Sequence, residues 1–390
     1  VCSFARTFKE AQNYVTPVIL AVLIPGGLAA MPATRLEGVM LVMPVGNMVL
    51  LARDFLLGAV VSPLAVAMVL ISTTLYAAAS VAVAANVFGQ ETVVFSDAGS
   101  WKTLFSRRYV KRTDVPSVSM GLLVVALLFP LWFFLQAALS PDPGGNAVNL
   151  LVATAWLMPL LFVLVPAGLL AYWKVSLRQS LALRVPSPRF LVAGILIGLT
   201  AWIPSHEINV LQFKLAGMPQ SLVQNAEALT ETLKALPRTA VFLLIAVIPA
   251  VCEELLFRGF LFTSLLGAGR ARTAILASAA IFAVFHFFFF KFAVAAVLGA
   301  VLAYLCWRSR SILPGMIAHA LHNSLGAMEV VYPAWRDWIG LPPDAAGTDP
   351  TPAHLPVHVL TVGTMLFLAG IRLARGREGD RSARREERRC

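Results

Sequence analysis

The stretch RTAVFLLIAVIPAVCEELLFRGFLFTSL, residues 238–265, decides the fold. A helix needs about 17 to 25 mainly apolar residues to cross a bilayer, and this stretch is long enough. Yet it carries Glu253, Glu254 and Arg258 within its apolar run. Ionisable side chains at that depth are costly and mark a functional site whose partners must be sought nearby. Two further apolar stretches supply them: IFAVFHFFFF (281–290) holds His286, and MIAHALHNSL (316–325) holds His319 and Asn323.

Composition agrees with a membrane setting. The 390 residues are 58% hydrophobic and only 13% charged, against about 25% charged in ordinary soluble domains. The net charge of +11 does not point to nucleic acid, because the basic residues fall in short runs between apolar stretches. These runs are Lys102, Arg107, Arg108, Lys111 and Arg112; Lys174, Arg178, Arg184 and Arg189; Arg270 and Arg272; Arg308 and Arg310; and the tail from Arg372 to Arg389. Such runs mark cytoplasmic loops. Cys2, Cys252, Cys306 and Cys390 show no metal-ligand spacing.

Apolar stretches of spanning length fall at 15–31, 63–88, 118–139, 148–173, 190–208, 238–265, 271–289, 290–307, 311–329 and 355–372. The expected fold is an all-α, polytopic membrane helical bundle of about ten transmembrane helices. The piece 39–56 contains Pro44, Asn47 and the pair Arg53-Asp54, which suits a re-entrant segment better than a span. Leaving it out of the count puts every basic run and both termini on the cytoplasmic side. Residues 209–236 read as a polar helical segment outside, and 330–354 as an external loop. The domain expectation is a membrane block over 1–173, a basic amphipathic linker over 174–189, a second membrane block over 190–372 and a basic tail over 373–390.

Spacing divides the polar cluster. Residues four apart share a helix face, so Glu254 and Arg258 can neutralise each other. Glu253, rotated about 100° away, is left to act as a general base. Glu253 and His286 lie almost equally far from a turn near Arg270, so antiparallel helices place them at one depth. His319 and Asn323 are again four apart and can point into one volume. A carboxylate, a histidine and two donors have the parts for peptide hydrolysis. Each part alone has a bland reading, since a lone buried histidine is more often core and interhelical hydrogen bonds are common membrane glue. On this reading His322 faces away from His319, the Phe287–Phe290 run faces lipid, and His206, His354 and His358 have no role.

In order and spacing, Glu253-Glu254-x-x-x-Arg258, Phe282-x-x-x-His286 and His319-x-x-x-Asn323 resemble the three motifs of the CPBP intramembrane protease family. That family includes the CAAX prenyl endopeptidases and bacterial proteins of the lysostaphin-resistance type. The resemblance covers roughly 190–330. It implies that Glu253 and His286 activate the attacking water, that His319 and Asn323 form an oxyanion hole, and that Glu254 and Arg258 support them. If a metal such as Zn²⁺ is bound, Glu253, His286 and His319 are its candidate ligands. There is no HExxH and Asn is a poor zinc ligand, which favours a metal-free, glutamate-type mechanism.

The strings FKEAQNYVTP (8–17) and MPVGNMVLLARDFLLG (43–58), with the span that follows, are similar to the end of ABC-type export permeases of the sodium-efflux class. The chain opens on Val1, so that resemblance implies a preceding segment. It also implies an ATP-binding cassette ATPase as partner, because no GxxxxGK[ST] loop is present. The expected function is a membrane endopeptidase acting on a peptide or membrane-protein substrate, CAAX-type proteins included, in a prokaryotic cell membrane. The alternative is a permease subunit whose protease-like bundle is a non-hydrolytic scaffold.

Overall fold

Proline and glycine punctuate the apolar runs and decide where the helices bend and touch. The computed structural model describes residues 7–31, 34–88, 112–139, 147–217, 220–287, 289–338, 340 and 352–375. Most of the first basic run, the tail beyond Arg375 and much of the 330–354 loop lie outside the described residues. The chain is an all-α, polytopic helical bundle of an integral membrane protein, with eight described helices long and apolar enough to cross a bilayer.

The chain divides into two units, Val1–Ala138 with Leu169–Ser176, and Leu139–Gly168 with Leu177–Cys390. The first contains α1 (Phe8–Ala30), α2 (Gly46–Leu56), α3 (Pro63–Phe88) and most of α4 (Val118–Leu139). Its core gathers Ala29, Leu36, Leu50, Leu51, Ala65 and Val69. At 11 residues, α2 reaches only about 16 Å, roughly half of a hydrocarbon core. Its polar residues are internally satisfied. Buried Asn47 donates to Ser72 Oγ at 2.9 Å, and Arg53 donates to the Ala29 and Thr34 carbonyls while pairing with Asp54 at 3.0 Å.

The second unit holds the polar motifs. Its helices are α5, running Ala147–Met158, Pro159–Leu164 and Val165–Tyr172, with its residues through Gly168 in this unit; α6 (Pro188–Thr200); α7 (Trp202–Ala216); α8 (Gln220–Lys234); α9 (Arg238–Leu266); α10 (Ala271–Val284); α11 (Phe289–Ser309); α12 (Leu313–Val331); and α13 (Val357–Arg375). The boundary expected at 173–174 differs from this division. Phe162 of α5 packs edge-on against Phe257 and Phe285, each at 6.1 Å, and ties most of that helix to the second unit.

Two of the ten expected spans differ. The 271–289 stretch forms a helix of only 14 residues, α10, about 21 Å long and short of a 30 Å hydrocarbon core. The 311–329 stretch forms α12, of 19 residues, which is not among the helices apolar enough to span; it carries His319, His322, Asn323 and Glu329. The 190–208 span is longer than expected, running Pro188–Leu215, so the segment expected outside from 209 begins within that helix.

Helix α6 is the centre of packing, lying against α12 and α13. A Cβ on Gly194 would sit 2.5 Å from the Pro314 carbonyl oxygen, and one on Gly198 would sit 2.7 Å from that of Ala318. This is the small-xxx-small contact by which membrane helices approach closely. Around it Phe190, Ile197, Leu298, Leu302 and Leu305 close a core.

Helix α9 is not a regular α-helix. Pro249 has no N–H, and just before it the ladder widens so that the Ile248 N–H bonds to the Leu243 carbonyl five residues back. A second π segment covers Glu254–Leu261, beginning one residue after Glu253. Such π insertions inside α-helices often accompany functional sites.

Candidate active site

Burying Glu254 and Arg258 side by side requires that each find a partner, and both side chains are 0% exposed. Arg258 Nη1 donates to Glu254 Oε1 at 2.7 Å. Its Nη2 donates to the Gly299 carbonyl of α11 at 3.2 Å, and the guanidinium lies 4.1 Å over the Phe282 ring. The i,i+4 ion pair stands where helical spacing puts it.

Sequence spacing did not reveal the second partner of Glu254. His319 of α12 brings Nδ1 to 3.1 Å from Glu254 Oε1. A carboxylate oxygen only accepts, so Nδ1 carries the proton. This fixes the ring and turns Nε2 toward Glu253, 3.7 Å from Oε2. Gly315 makes the approach possible, since a Cβ there would lie 2.9 Å from Glu254 Oε2. Glu254 therefore does more than neutralise an arginine: it joins α9 to α12 and orients a histidine.

His286 follows the end of α10, and its Nδ1 donates to the Phe282 carbonyl at 3.0 Å. The carbonyl can only accept, so in the neutral ring Nε2 holds the lone pair. The Phe282 ring, 1% exposed, stands between the two histidines, edge-on to His286 at 4.8 Å and to His319 at 5.8 Å. Phe282 is thus a spacer as well as part of a motif. Glu253, His286, His319 and Asn323 all line one cavity of about 520 Å³. Glu254 and Arg258 do not line it and lie behind Glu253 and His319.

The cavity wall also contains residues that sequence reasoning set aside or missed. His322 faces the cavity beside His319, contrary to expectation, because 319, 322, 323 and 326 form one face of α12. His206 lines it too, on a face of α7 made by Trp202, Ser205, His206 and Asn209. That 0, 3, 4, 7 spacing was a readable signal. His206 also bonds to the Ala353 carbonyl at 2.8 Å. Lys291, two residues into α11, stands on the same wall. Of the Phe287–Phe290 run, Phe290 packs on Phe213 of α7 at 5.0 Å. His322 Nδ1 and Trp335 Nε1 are buried wall atoms with no hydrogen-bond partner among the described residues.

Among the described residues no three His, Cys, Asp or Glu side chains are grouped as metal ligands, so Glu253, His286 and His319 do not form a metal set.

No curated protein and no solved structure matches the chain. Residues 235–325 match the family model described as type II CAAX prenyl endopeptidase Rce1-like, a stretch that holds Glu253, Glu254, Arg258, His286, His319 and Asn323.

Proposed function

We propose that this protein is an intramembrane endopeptidase that hydrolyses a peptide bond of a membrane-associated protein, CAAX-type tails included. The observation that carries the reading is the shared cavity of Glu253, His286, His319 and Asn323, reached from three different segments of the chain. The similarity over residues 235–325 to a family of membrane endopeptidases supports it.

In this reading a water sits between the Glu253 carboxylate and His286 Nε2. Glu253 takes one proton as the water oxygen attacks the substrate carbonyl carbon. The resulting oxyanion is met by His319 Nε2–H and the Asn323 amide. Because Nδ1 of His319 is committed to Glu254, donation from Nε2 uses a ring protonated on both nitrogens. Glu253 then delivers its proton to the departing amide nitrogen, and the C–N bond breaks to give a new carboxylic acid and a new amine, the acid passing its proton to the amine. The same reading places both termini on the cytoplasmic side of a prokaryotic cell membrane, with the lipid bilayer and a peptide substrate as partners.

The test uses purified protein and its Glu253→Ala variant in lipid nanodiscs, incubated with a library of apolar membrane peptides read by mass spectrometry. Peptides cut by the wild type and left whole by the variant are the expected result. Equal cleavage by both removes Glu253 from the mechanism.

A further inference from the structure

Away from the cavity, three spans of the second unit end together. Helix α6 begins at Pro188, α11 ends at Ser309 and α13 ends at Arg375. Arg308 of α11 donates from Nε to the Ala374 carbonyl at 3.3 Å and from Nη2 to that of Arg375. Ser311 Oγ donates to the Arg184 carbonyl at 2.6 Å, and the Ile312 N–H to that of Ala182 at 3.2 Å. Six arginines gather at these ends: Arg184, Arg189, Arg308, Arg310, Arg372 and Arg375. Residues 177–189, 300–315 and 357–375 contain no Asp or Glu.

Basic runs at span ends are common and serve mainly to orient a membrane protein. This one differs in being rigidly built. Ala182, with φ 47°, and Arg310, with φ 55°, both lie in the left-handed region. That conformation costs a non-glycine residue free energy, persists only where the surroundings hold it, and clusters at ligand clamps and other functional sites. Here the two turns hold each other, through the bonds from Ser311 and Ile312 to Arg184 and Ala182. Thr263 of α9 adds a third tie by donating to the Ser180 carbonyl at 2.7 Å. Arg184 and Arg310 are therefore carried on braced turns, and both are exposed. A ligand that bridges them pays little ordering entropy for the backbone.

The neighbours of these arginines indicate the class of ligand. Guanidinium groups match phosphate oxygens with paired N–H bonds. Leu183 and Val185, on either side of Arg184, are 42% and 92% exposed, and Leu373, between Arg372 and Arg375, is 39% exposed. A soluble anion gains nothing from such side chains. A lipid does, because its acyl chains lie beside its headgroup at the level where spans end.

We propose that Arg184 and Arg310 bind the phosphate of an anionic phospholipid, with Leu183 and Val185 against its acyl chains and Arg372 and Arg375 at the edge of the site. None of these residues lines the cavity of Glu253, and the site is independent of the endopeptidase reading.

The experiment titrates the purified full chain in detergent with phosphatidylglycerol or phosphatidylcholine of identical acyl chains and counts bound lipid by native mass spectrometry. The proteins compared are wild type, Arg184→Gln/Arg310→Gln, and Arg270→Gln/Arg272→Gln, which removes two exposed arginines from another loop. One basic side chain beside an anionic headgroup strengthens attachment about fivefold, and two about 25-fold. The wild type should bind phosphatidylglycerol at least about tenfold more tightly than phosphatidylcholine. In Arg184→Gln/Arg310→Gln the preference between the lipids should vanish, while Arg270→Gln/Arg272→Gln keeps it. Retained binding of phosphatidylcholine by the first variant shows that it is folded. Equal affinity of the wild type for both lipids overturns the proposal. So does a preference that survives in Arg184→Gln/Arg310→Gln, or one that disappears equally in both variants, since charge at any loop would then suffice. Inorganic phosphate that displaces phosphatidylglycerol at equal concentration overturns the lipid as occupant and leaves a site for a soluble anion.

Discussion

Gly315→Ala tests whether Glu254 orients His319 without removing a functional group from either. The new methyl would lie 2.9 Å from Glu254 Oε2, where ordinary contact begins at 3.4 Å, so the carboxylate must retreat by about 0.5 Å. Its other oxygen is 3.1 Å from His319 Nδ1. If the carboxylate moves as a unit away from α12, that bond lengthens to about 3.6 Å, beyond hydrogen-bond reach. His319 then loses both its fixed tautomer and its aim. Displacements near 1 Å at a catalytic group cost about 10²-fold in rate, and a loss of about 10- to 100-fold in kcat follows here. The strain itself is that of an overpacked core, about 1–3 kcal/mol, so the protein still folds. Peptide cleavage read beside thermal unfolding of the same preparation makes the comparison. A Gly315→Ala protein with wild-type kcat would refute the positioning role.

Three other outcomes are expected. Arg258→Leu leaves Glu254, at 0% exposure, without its guanidinium and held only by His319 Nδ1, costing about 3–5 kcal/mol, and thermal unfolding should show it as a large fall in midpoint. Asn323→Ala removes one oxyanion donor and should lower kcat about 10²- to 10³-fold with KM nearly unchanged; an unchanged kcat would take Asn323 out of the mechanism. Glu207 accepts the Leu355 N–H at 2.9 Å and His354 Nδ1 at 2.7 Å, strapping the chain before α13 onto α7. Glu207→Ala should speed hydrogen exchange at the Leu355 amide, and unchanged exchange there would mean that the strap is held by something else.

What the sequence makes legible here follows range. Composition and run length specify an all-α membrane bundle, because the need to satisfy every backbone group in lipid leaves helices as the main solution. Local spacing is equally readable: Glu254 and Arg258 meet at 2.7 Å because four residues make about one turn. The contact from Glu254 to His319 spans 65 residues and depends on how closely α9 and α12 approach, which Gly315 permits and no periodicity records. Likewise α5 joins the second unit through Phe162, a residue indistinguishable in sequence from any lipid-facing phenylalanine. His322 and the α7 face that includes His206 become legible only as a set, through the repeat of 3 and 4 along one helix face.

The short helix α10 bears on how water is supplied. Hydrolysis consumes one water for each bond cut, and bulk water is scarce at the middle of a bilayer. A 14-residue helix turning back at His286 ends about 9 Å short of a full hydrocarbon thickness. Lipid beside such an element thins or tilts to cover it, bringing the wet headgroup layer down toward the hairpin tip where His286 stands. On the endopeptidase reading the hydrating path would then be set by the length of a helix, and acyl-chain length would control turnover. Shorter-chain lipids would shorten the water's route to Glu253, and longer-chain lipids would dry it.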